Sequence, residues 1–350
     1  MSANTKIEWC DGTVNWWAGC TPVSPACDKC YAERMAGRLW GTQWGPGQPR
    51  TQFAGADAAL KAMDRKAKRL GQPLRVFHNS LSDFFDKEVP MQWRISALRS
   101  MLETPNLIHL VLTKRIGNAA EMLETAFRAV HEGREGWADN VPPHIWIGAT
   151  IVNQEEADRD IPKLLAVPAA KRFLSMEPLL GQVNLRHLNE DLEFNEVDCL
   201  KPDRWDDEVE RWRDTDEGWE EQFEDHYGQH PAGLTGPMHA GIDWVIVGGE
   251  SGPDARPMHP QWAFDIRDQC EDAGVAFMFK QWGEWTPGVN VERERGVIPI
   301  ASLWNNEWQV SKLNLATDGG HIDDEPDLYR VGKKEAGRHL DGRTWDGVPT

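Results

Sequence analysis

The sequence predicts an α/β fold built as a partial (β/α) barrel. Short apolar and β-branched runs alternate with helical patterns along most of the chain, and such alternation implies parallel strands joined by right-handed crossovers. Seven candidate strands fall between Thr13 and Phe279, which suggests an open or incomplete barrel. The length of 350 residues exceeds the roughly 250 of a single α/β barrel, so the barrel carries additional segments. A doubly wound sheet fits the same alternation.

The first expected strand, Thr13–Ala18, leads directly into a cysteine loop, and a helix follows over Tyr31–Leu39. A Gly/Pro/Gln-rich stretch spans Gly41–Gln52, and Ala54–Leu70 has helical spacing. Strands are then expected at Leu74–Asn79, Leu107–Leu112, His144–Ala149, Lys171–Ser175, Trp244–Val247 and Val275–Phe279. Helices are expected at Met91–Leu102, Ala119–His131, Gln154–Leu165 and Gln261–Ala273. The rhythm breaks at about 182–241, an acidic, Trp-rich insertion that reads either as a solvated helical lid or as a substrate cover or partner surface. The barrel with this insertion accounts for residues 1–281. Residues 282–350 lack the rhythm and are expected to form an extension packed on the barrel, made locally basic by Lys333, Lys334, Arg338 and Arg343.

Apolar residues make up 40% of the chain, which permits a sizeable core, and no run of about 18 apolar residues suggests a membrane span. The N-terminus lacks a basic-then-apolar signal, so the expected location is cytoplasmic. The net charge of −18 repels phosphate backbones at long range and counts against broad, non-specific nucleic-acid binding, while leaving a local basic groove open.

Three of the six cysteines, Cys20, Cys27 and Cys30, form a C-x6-C-x2-C loop. In a cytosolic protein such a cluster reads as metal or redox chemistry rather than as a disulfide framework. Three thiolates can hold three irons of a [4Fe–4S] cube and leave the fourth iron open to a ligand, whereas ordinary cluster ligation uses four cysteines. A structural zinc site, with Cys10 or a histidine as fourth ligand, and unrelated thiols are the other readings. The loop follows the first strand of a parallel pattern, a place that favours the cluster. Cys270 reads as a small core residue and Cys199 as a free thiol.

These residues resemble the radical S-adenosylmethionine (SAM) superfamily, closest to its spore-photoproduct-lyase-like branch. Thr5–Trp9, the Gly19–Met35 loop, NSLSDFF, LTKR, FLSMEPLLG, VGGESG and GKKEAGRHLDGR also resemble, over nearly the whole chain, a family of phage-encoded and bacterial proteins of largely unassigned function. The superfamily's usual C-x3-C-x2-C spacing is lengthened here, and Lys29 stands where an aromatic is usual, with Tyr31 placed to do the adjacent packing. The resemblance implies a barrel of the radical SAM type with a [4Fe–4S] cluster and SAM as cofactors. It also implies an external electron donor of the flavodoxin or ferredoxin type, and a small-molecule, nucleobase, nucleotide or modified-DNA substrate.

It further implies that Asp83, with Ser80 or Ser82, receives the SAM ammonium, although Asp83 also reads as a helix N-cap. Thr113 would supply a hydrogen bond, and Lys114 or Arg115 a salt bridge to the SAM carboxylate; an exposed basic strand end is the plainer reading. Thr150 and Asn153 would approach the ribose. Glu177 and Glu250 fall after late strands, at the mouth where such barrels keep their chemistry, and read as substrate ligands or proton relays. Arg256 and His259 are candidate substrate contacts, and Lys280 is expected to point into the mouth toward an anionic group. A zinc-stabilised, non-catalytic phage interaction protein is the rival functional class.

Overall fold

In chain order the strands are β1 (Gly12–Val14), β2 (Trp17–Ala18), β3 (Thr51–Gln52), β4 (Leu74–His78), β5 (Leu107–Thr113), β6 (Ile145–Thr150), β7 (Arg172–Met176), β8 (Trp244–Gly248), β9 (Ala276–Gln281), β10 (Trp285–Thr286), β11 (Val297–Trp304), β12 (Glu307–Asn314) and β13 (Leu328–Arg330). The helices are α1 (Tyr31–Trp40), α2 (Ala56–Leu70), α3 (Met91–Leu102), α4 (Ala119–Val130), α5 (Gln154–Ala166), α6 (Pro260–Ala273) and the single turn α7 (Lys333–Ala336). The structure is a computed structural model and describes residues 5, 7–41, 44–188, 197–200, 241–291, 296–314 and 327–350. The 182–241 insertion falls largely outside these residues.

Seven strands form one parallel sheet in the order β1-β4-β5-β6-β7-β8-β9, curled as a half-barrel. The strictly sequential order excludes the doubly wound alternative, in which the strand order reverses at a switch point. Strand residues alternate between two buried faces. Leu174, Val245 and Phe279 face outward and pack with the helices. Phe77, Leu110, Trp146, Phe173, Trp244, Ile246 and Met278 fill the concave side, where Trp9 and Cys10 of the N-terminal segment join them. Trp9 lies 4.7 Å from the Phe77 ring and stands edge-on to Trp244. The Phe173 ring has its space because its strand neighbour is Gly148, where a Cβ would fall 2.5 Å from that ring.

Most expected elements lie within two residues of their observed ends. The first strand is a correction: Thr13–Ala18 is not continuous but divides into β1 and β2. At the break, Asn15 and Trp16 bond sideways to the loop after β4, with Asn15 Oδ1 accepting from Leu81 N at 2.9 Å and Asn79 Oδ1 accepting from Trp16 N at 2.9 Å. The extension is also more regular than its pattern indicates. It contains an antiparallel sheet ordered β10-β13-β11-β12. Asn305 and Asn306, both at positive φ, form the two-residue turn between β11 and β12, a conformation asparagine tolerates better than most residues. The C-terminal tail lies antiparallel along β9, through Phe279 N to Trp345 O and Gly347 N to Phe277 O, both 3.0 Å. It thereby covers a sheet edge that would otherwise present unpaired backbone groups.

A polar chain crosses the apolar layer outside the sheet. Trp16 Nε1 donates to His78 Nδ1 at 3.1 Å, so His78 carries its proton on Nε2 and donates to His109 Nδ1 at 2.9 Å. His109 Nε2 then faces the hydroxyl and carbonyl of Thr104, each at 3.2 Å. Burial holds His78 neutral, down to about 3, and lowers His109 well below the usual range.

Two outcomes follow for stability. Gly148→Ala should destabilise the chain by about 1–3 kcal/mol, read as a lowered denaturation midpoint, because the Phe173 ring has no free direction in the filled interior. The unfolded chain binds protons on His78 from its usual value of 6.5 downward, whereas the folded chain does not until about 3. Unfolding free energy should therefore fall as pH drops through that window, and His78→Gln should flatten the decline in a pH series of denaturant titrations.

Candidate functional site

The cysteine loop starts where β2 ends. Gly19, at φ 101°, turns the chain beside the segment after β4, with Gly19 N donating to Leu81 O. Ser24 caps a short 3-10 turn, Pro25–Cys27, by accepting from Ala26 N at 3.1 Å. Cys30 then occupies the N-cap position of α1, whose aligned peptide dipoles favour negative charge at that end.

All three cysteines line one cleft of about 410 Å3 at the C-terminal ends of the parallel strands. The same cleft is lined by Ser80, Ser82, Asp83, Thr113, Lys114, Thr150, Glu177, Glu250 and Lys280, so the structure brings together the expected metal, cofactor and catalytic positions. Its volume is that of a small-molecule or cofactor pocket. The side chains around it, however, do not all do what the sequence suggests.

Asp83 is a hub. Its Oδ1 accepts from Thr113 Oγ1 at 2.7 Å and Phe85 N at 2.9 Å, and its Oδ2 accepts from Lys114 N at 2.9 Å and pairs with Arg115 at 3.3 Å. The carboxylate is buried with its acceptor positions taken, so it organises the strand end rather than presenting a free oxygen. Arg115 continues from Asp83 to the cysteine loop, donating to Cys20 Sγ at 3.3 Å and to Thr21 O. Both adjacent bases line the cleft; Arg115 is engaged by Asp83 and the cysteine loop, whereas Lys114 Nζ lies 3.4 Å from Thr150 Oγ1. Burial and the Asp83 charge push the Cys20 thiol up to about 12, with Arg115 opposing them.

Ser80 and Ser82 are likewise occupied in joining loops. Asn15 Nδ2 donates to Ser80 Oγ at 3.1 Å, and Ser82 Oγ donates to Trp17 O at 2.9 Å. Tyr31 Oη donates to Ser80 O at 2.8 Å, so its adjacent role is a bond rather than packing alone. Arg50, buried, ties Thr21 Oγ1 to Asp86 and Glu88, bracing the first half of the cysteine loop.

The second half is braced from β8. Both Glu250 oxygens accept from the Arg256 guanidinium, at 2.7 and 2.9 Å, and Arg256 reaches on to Asp28 Oδ2 at 3.1 Å and Pro25 O at 3.0 Å. Lys29 donates to Asp254 O, a second tie between the two loops. Glu250 is thus a positioning residue for the cysteine loop, and Arg256 is a clamp rather than a cleft-lining substrate contact. His259 also lies away from the cleft. It caps α6, its Nδ1 accepting from Gln261 N. Asn153 caps α5 by accepting from Glu156 N at 3.0 Å, and only Thr150 of the pair expected near a ribose lines the cleft.

Lys280 points into the mouth as expected, but Glu177 holds it at 2.8 and 2.7 Å. Gln281 Nε2 donates to Glu177 at 2.9 Å and to Ser251 Oγ at 3.0 Å, which assigns its amide orientation. Behind this group the glycine loops interlock: a Cβ on Gly249 would fall 2.0 Å from Trp282 O, and one on Gly283 would fall 2.1 Å from Glu250 O. Backbone bonds replace those side chains, Gly249 N to Gln281 O at 2.9 Å and Glu284 N to Glu250 O at 3.0 Å.

Among the described residues two that line the cleft carry buried polar atoms without a partner: Asn79 Nδ2 and Gln281 Oε1. Neither was singled out in the sequence; the signal for Asn79 is an asparagine at a strand end, held here at φ 59°. Cys10, Cys199 and Cys270 are buried and do not line the cleft, and Cys199 Sγ donates to Leu185 O at 3.1 Å. Among the described residues no three His, Cys, Asp or Glu side chains, the loop thiols included, are gathered as ligands of one metal ion. The donor set does fit a multi-iron cluster in its chemistry: three thiols from one loop, one at a helix N-terminus, facing a cleft with a free ammonium and unpaired amide groups.

The fold and cleft define an α/β half-barrel protein whose cysteine loop sits over the strand ends. A family model described as "Protein of unknown function (DUF5131)" matches residues 4–349, and the chain belongs to that family. No curated protein and no solved structure matches it.

Arg256→Met should loosen the second half of the loop, because it leaves the buried Glu250 carboxylate without its cation. The expected local cost is about 3 kcal/mol, at the low end for a broken buried pair because the Arg256 side chain is partly exposed. Amide exchange at Cys27, Asp28 and Cys30 should accelerate while β5–β7 stay protected; unchanged exchange at those amides would remove the clamp.

Proposed function

We propose that this chain is a radical SAM enzyme in which Cys20, Cys27 and Cys30 hold a [4Fe–4S] cluster. The observation that carries the reading is the convergence of the three thiols with Lys114 and Thr150 on one cleft at the strand ends. When bound, a reduced cluster with one open iron supplies the electron that cleaves SAM to a 5′-deoxyadenosyl radical, which abstracts a hydrogen atom from substrate.

The chain's own residues then divide the work. Lys114 Nζ binds the SAM carboxylate, and the Thr150 hydroxyl beside it is a second polar contact. Gln281 Oε1 and Asn79 Nδ2 supply an unused acceptor and donor. Asp83 acts through Thr113 and Arg115, holding the end of β5 and the Cys20 side of the loop. Glu250 acts through Arg256 on the Cys27–Cys30 side. The Glu177–Lys280 pair is electrically balanced and forms part of the cleft wall. An external donor of the flavodoxin or ferredoxin type supplies the electron. Among the described residues no helix is long and apolar enough to cross a membrane.

The test is anaerobic purification, reconstitution with iron and sulfide, reduction, and EPR with and without SAM. A [4Fe–4S] signal that changes on adding SAM and is lost in Cys20→Ala, Cys27→Ala and Cys30→Ala is the expected result. Lys114→Met should keep the signal but lose the SAM-dependent change. A colourless protein that retains zinc would overturn the reading in favour of a zinc-stabilised interaction protein.

A further inference from the structure

The charges lining the cleft do not cancel. Its three carboxylates are each answered within the protein: Asp83 by Arg115, Glu177 by Lys280 and Glu250 by Arg256. Three lysines remain. Among the described residues Lys29 Nζ bonds only a neutral carbonyl, that of Asp254, and Lys114 Nζ only the Thr150 hydroxyl. Lys333, brought to the rim by α7, has no ion pair among the described residues. On a chain of net charge −18 this is a local excess of positive charge, placed where the surrounding field otherwise disfavours anions.

The C-terminal basic segment, which the sequence presents as one patch, is divided by the structure. Arg338 pairs with Asp346, and Arg343 lies over the Trp345 ring at 3.6 Å and within 3.4 Å of Glu271. Lys334 does not line the cleft. Lys333 alone of that group lines it, together with Lys29 of the cysteine loop. Gly332 and Val331 fix the start of α7 by donating to Glu284 O at 3.1 Å, and Glu284 N in turn bonds Glu250 O. The lysine is therefore tied to the same glycine loops that brace the cysteine loop.

We infer that the substrate carries a phosphate monoester, received at the rim of the cleft by Lys29 and Lys333. This rests on the proposed reading in one respect: Lys114 is taken by the carboxylate of SAM, leaving two uncompensated ammonium groups. Two positive charges match a phosphate monoester, which carries about −1.5 to −2 at neutral pH, better than a monocarboxylate. Lysine binds phosphate as a point charge with rotatable donors, so two lysines from different loops of the lining can close on one group without a preformed fork. The cleft thereby favours a phosphorylated small molecule or mononucleotide over a long duplex, which the acidic remainder of the chain repels.

The test is calorimetric titration of the full chain with inorganic phosphate as probe, with acetate at matched ionic strength as the carboxylate arm. Phosphate should bind the native chain, and Lys29→Gln and Lys333→Gln should each weaken it by about tenfold, equivalent to about 1.4 kcal/mol. Lys334→Gln should leave it unchanged, and acetate should bind much more weakly than phosphate. Absence of phosphate binding, indifference to both substitutions, or equal binding of acetate would overturn the inference. Because the readout is heat of anion binding, it stands apart from the EPR signal. A chain that binds phosphate through both lysines but holds no cluster refutes only the radical reading, and a chain with a SAM-responsive cluster but no phosphate site refutes only this inference.

Discussion

The structure depends on two arginine–carboxylate pairs, each of which begins at a strand end and finishes on the cysteine loop. Arg115 is held by buried Asp83 and reaches Cys20 and Thr21. Arg256 is held by buried Glu250 and reaches Asp28 and Pro25. A carboxylate buried without a cation is strongly destabilising, on the order of 3–5 kcal/mol. Each arginine is therefore fixed by the need of its own carboxylate and delivers its remaining donors to the loop. A loop of low intrinsic order, containing two prolines and a single 3-10 turn, is in this way held over the sheet from both sides.

Close backbone packing supports the second clamp. The loop after β8 and the loop after β9 approach so nearly that neither Gly249 nor Gly283 has space for a Cβ. Their backbone bonds place Glu250 beside Arg256, Gln281 beside Glu177, and Glu284 where it receives the start of α7. Cysteine-loop position, cleft floor and the rim lysine Lys333 are consequently parts of one connected arrangement. The pairing of every cleft carboxylate with an internal cation is what leaves the remaining lysines as the cleft's net charge.

The parallel sheet was legible because its strands are buried on both faces and read as apolar runs between amphipathic helices. The region of the site was legible too, since parallel strand ends gather the loops that follow them, and Cys20, Ser80, Lys114, Thr150, Glu177, Glu250 and Lys280 all follow or end strands. Partner choice was not legible. Nothing in the local sequence shows that Asp83 is saturated, that Glu250 serves Arg256, or that Lys280 is neutralised by Glu177, because each depends on contacts made between distant segments. Strand breaks that depend on sideways bonds, as at Asn15 and Trp16, were invisible for the same reason. The antiparallel sheet of the extension was hidden because β12 is largely exposed, β10 and β13 are very short, and β11 has no strict apolar alternation. Its one clear signal was the Asn305–Asn306 turn.

The central claim is that the clamped loop is the seat of an iron–sulfur cluster, and anomalous diffraction from crystals grown without oxygen tests it most directly. Data collected on both sides of the iron absorption edge should show a compact iron peak bounded by Cys20, Cys27 and Cys30. A peak at the zinc edge instead, or iron bound away from these three sulfurs, would contradict the account.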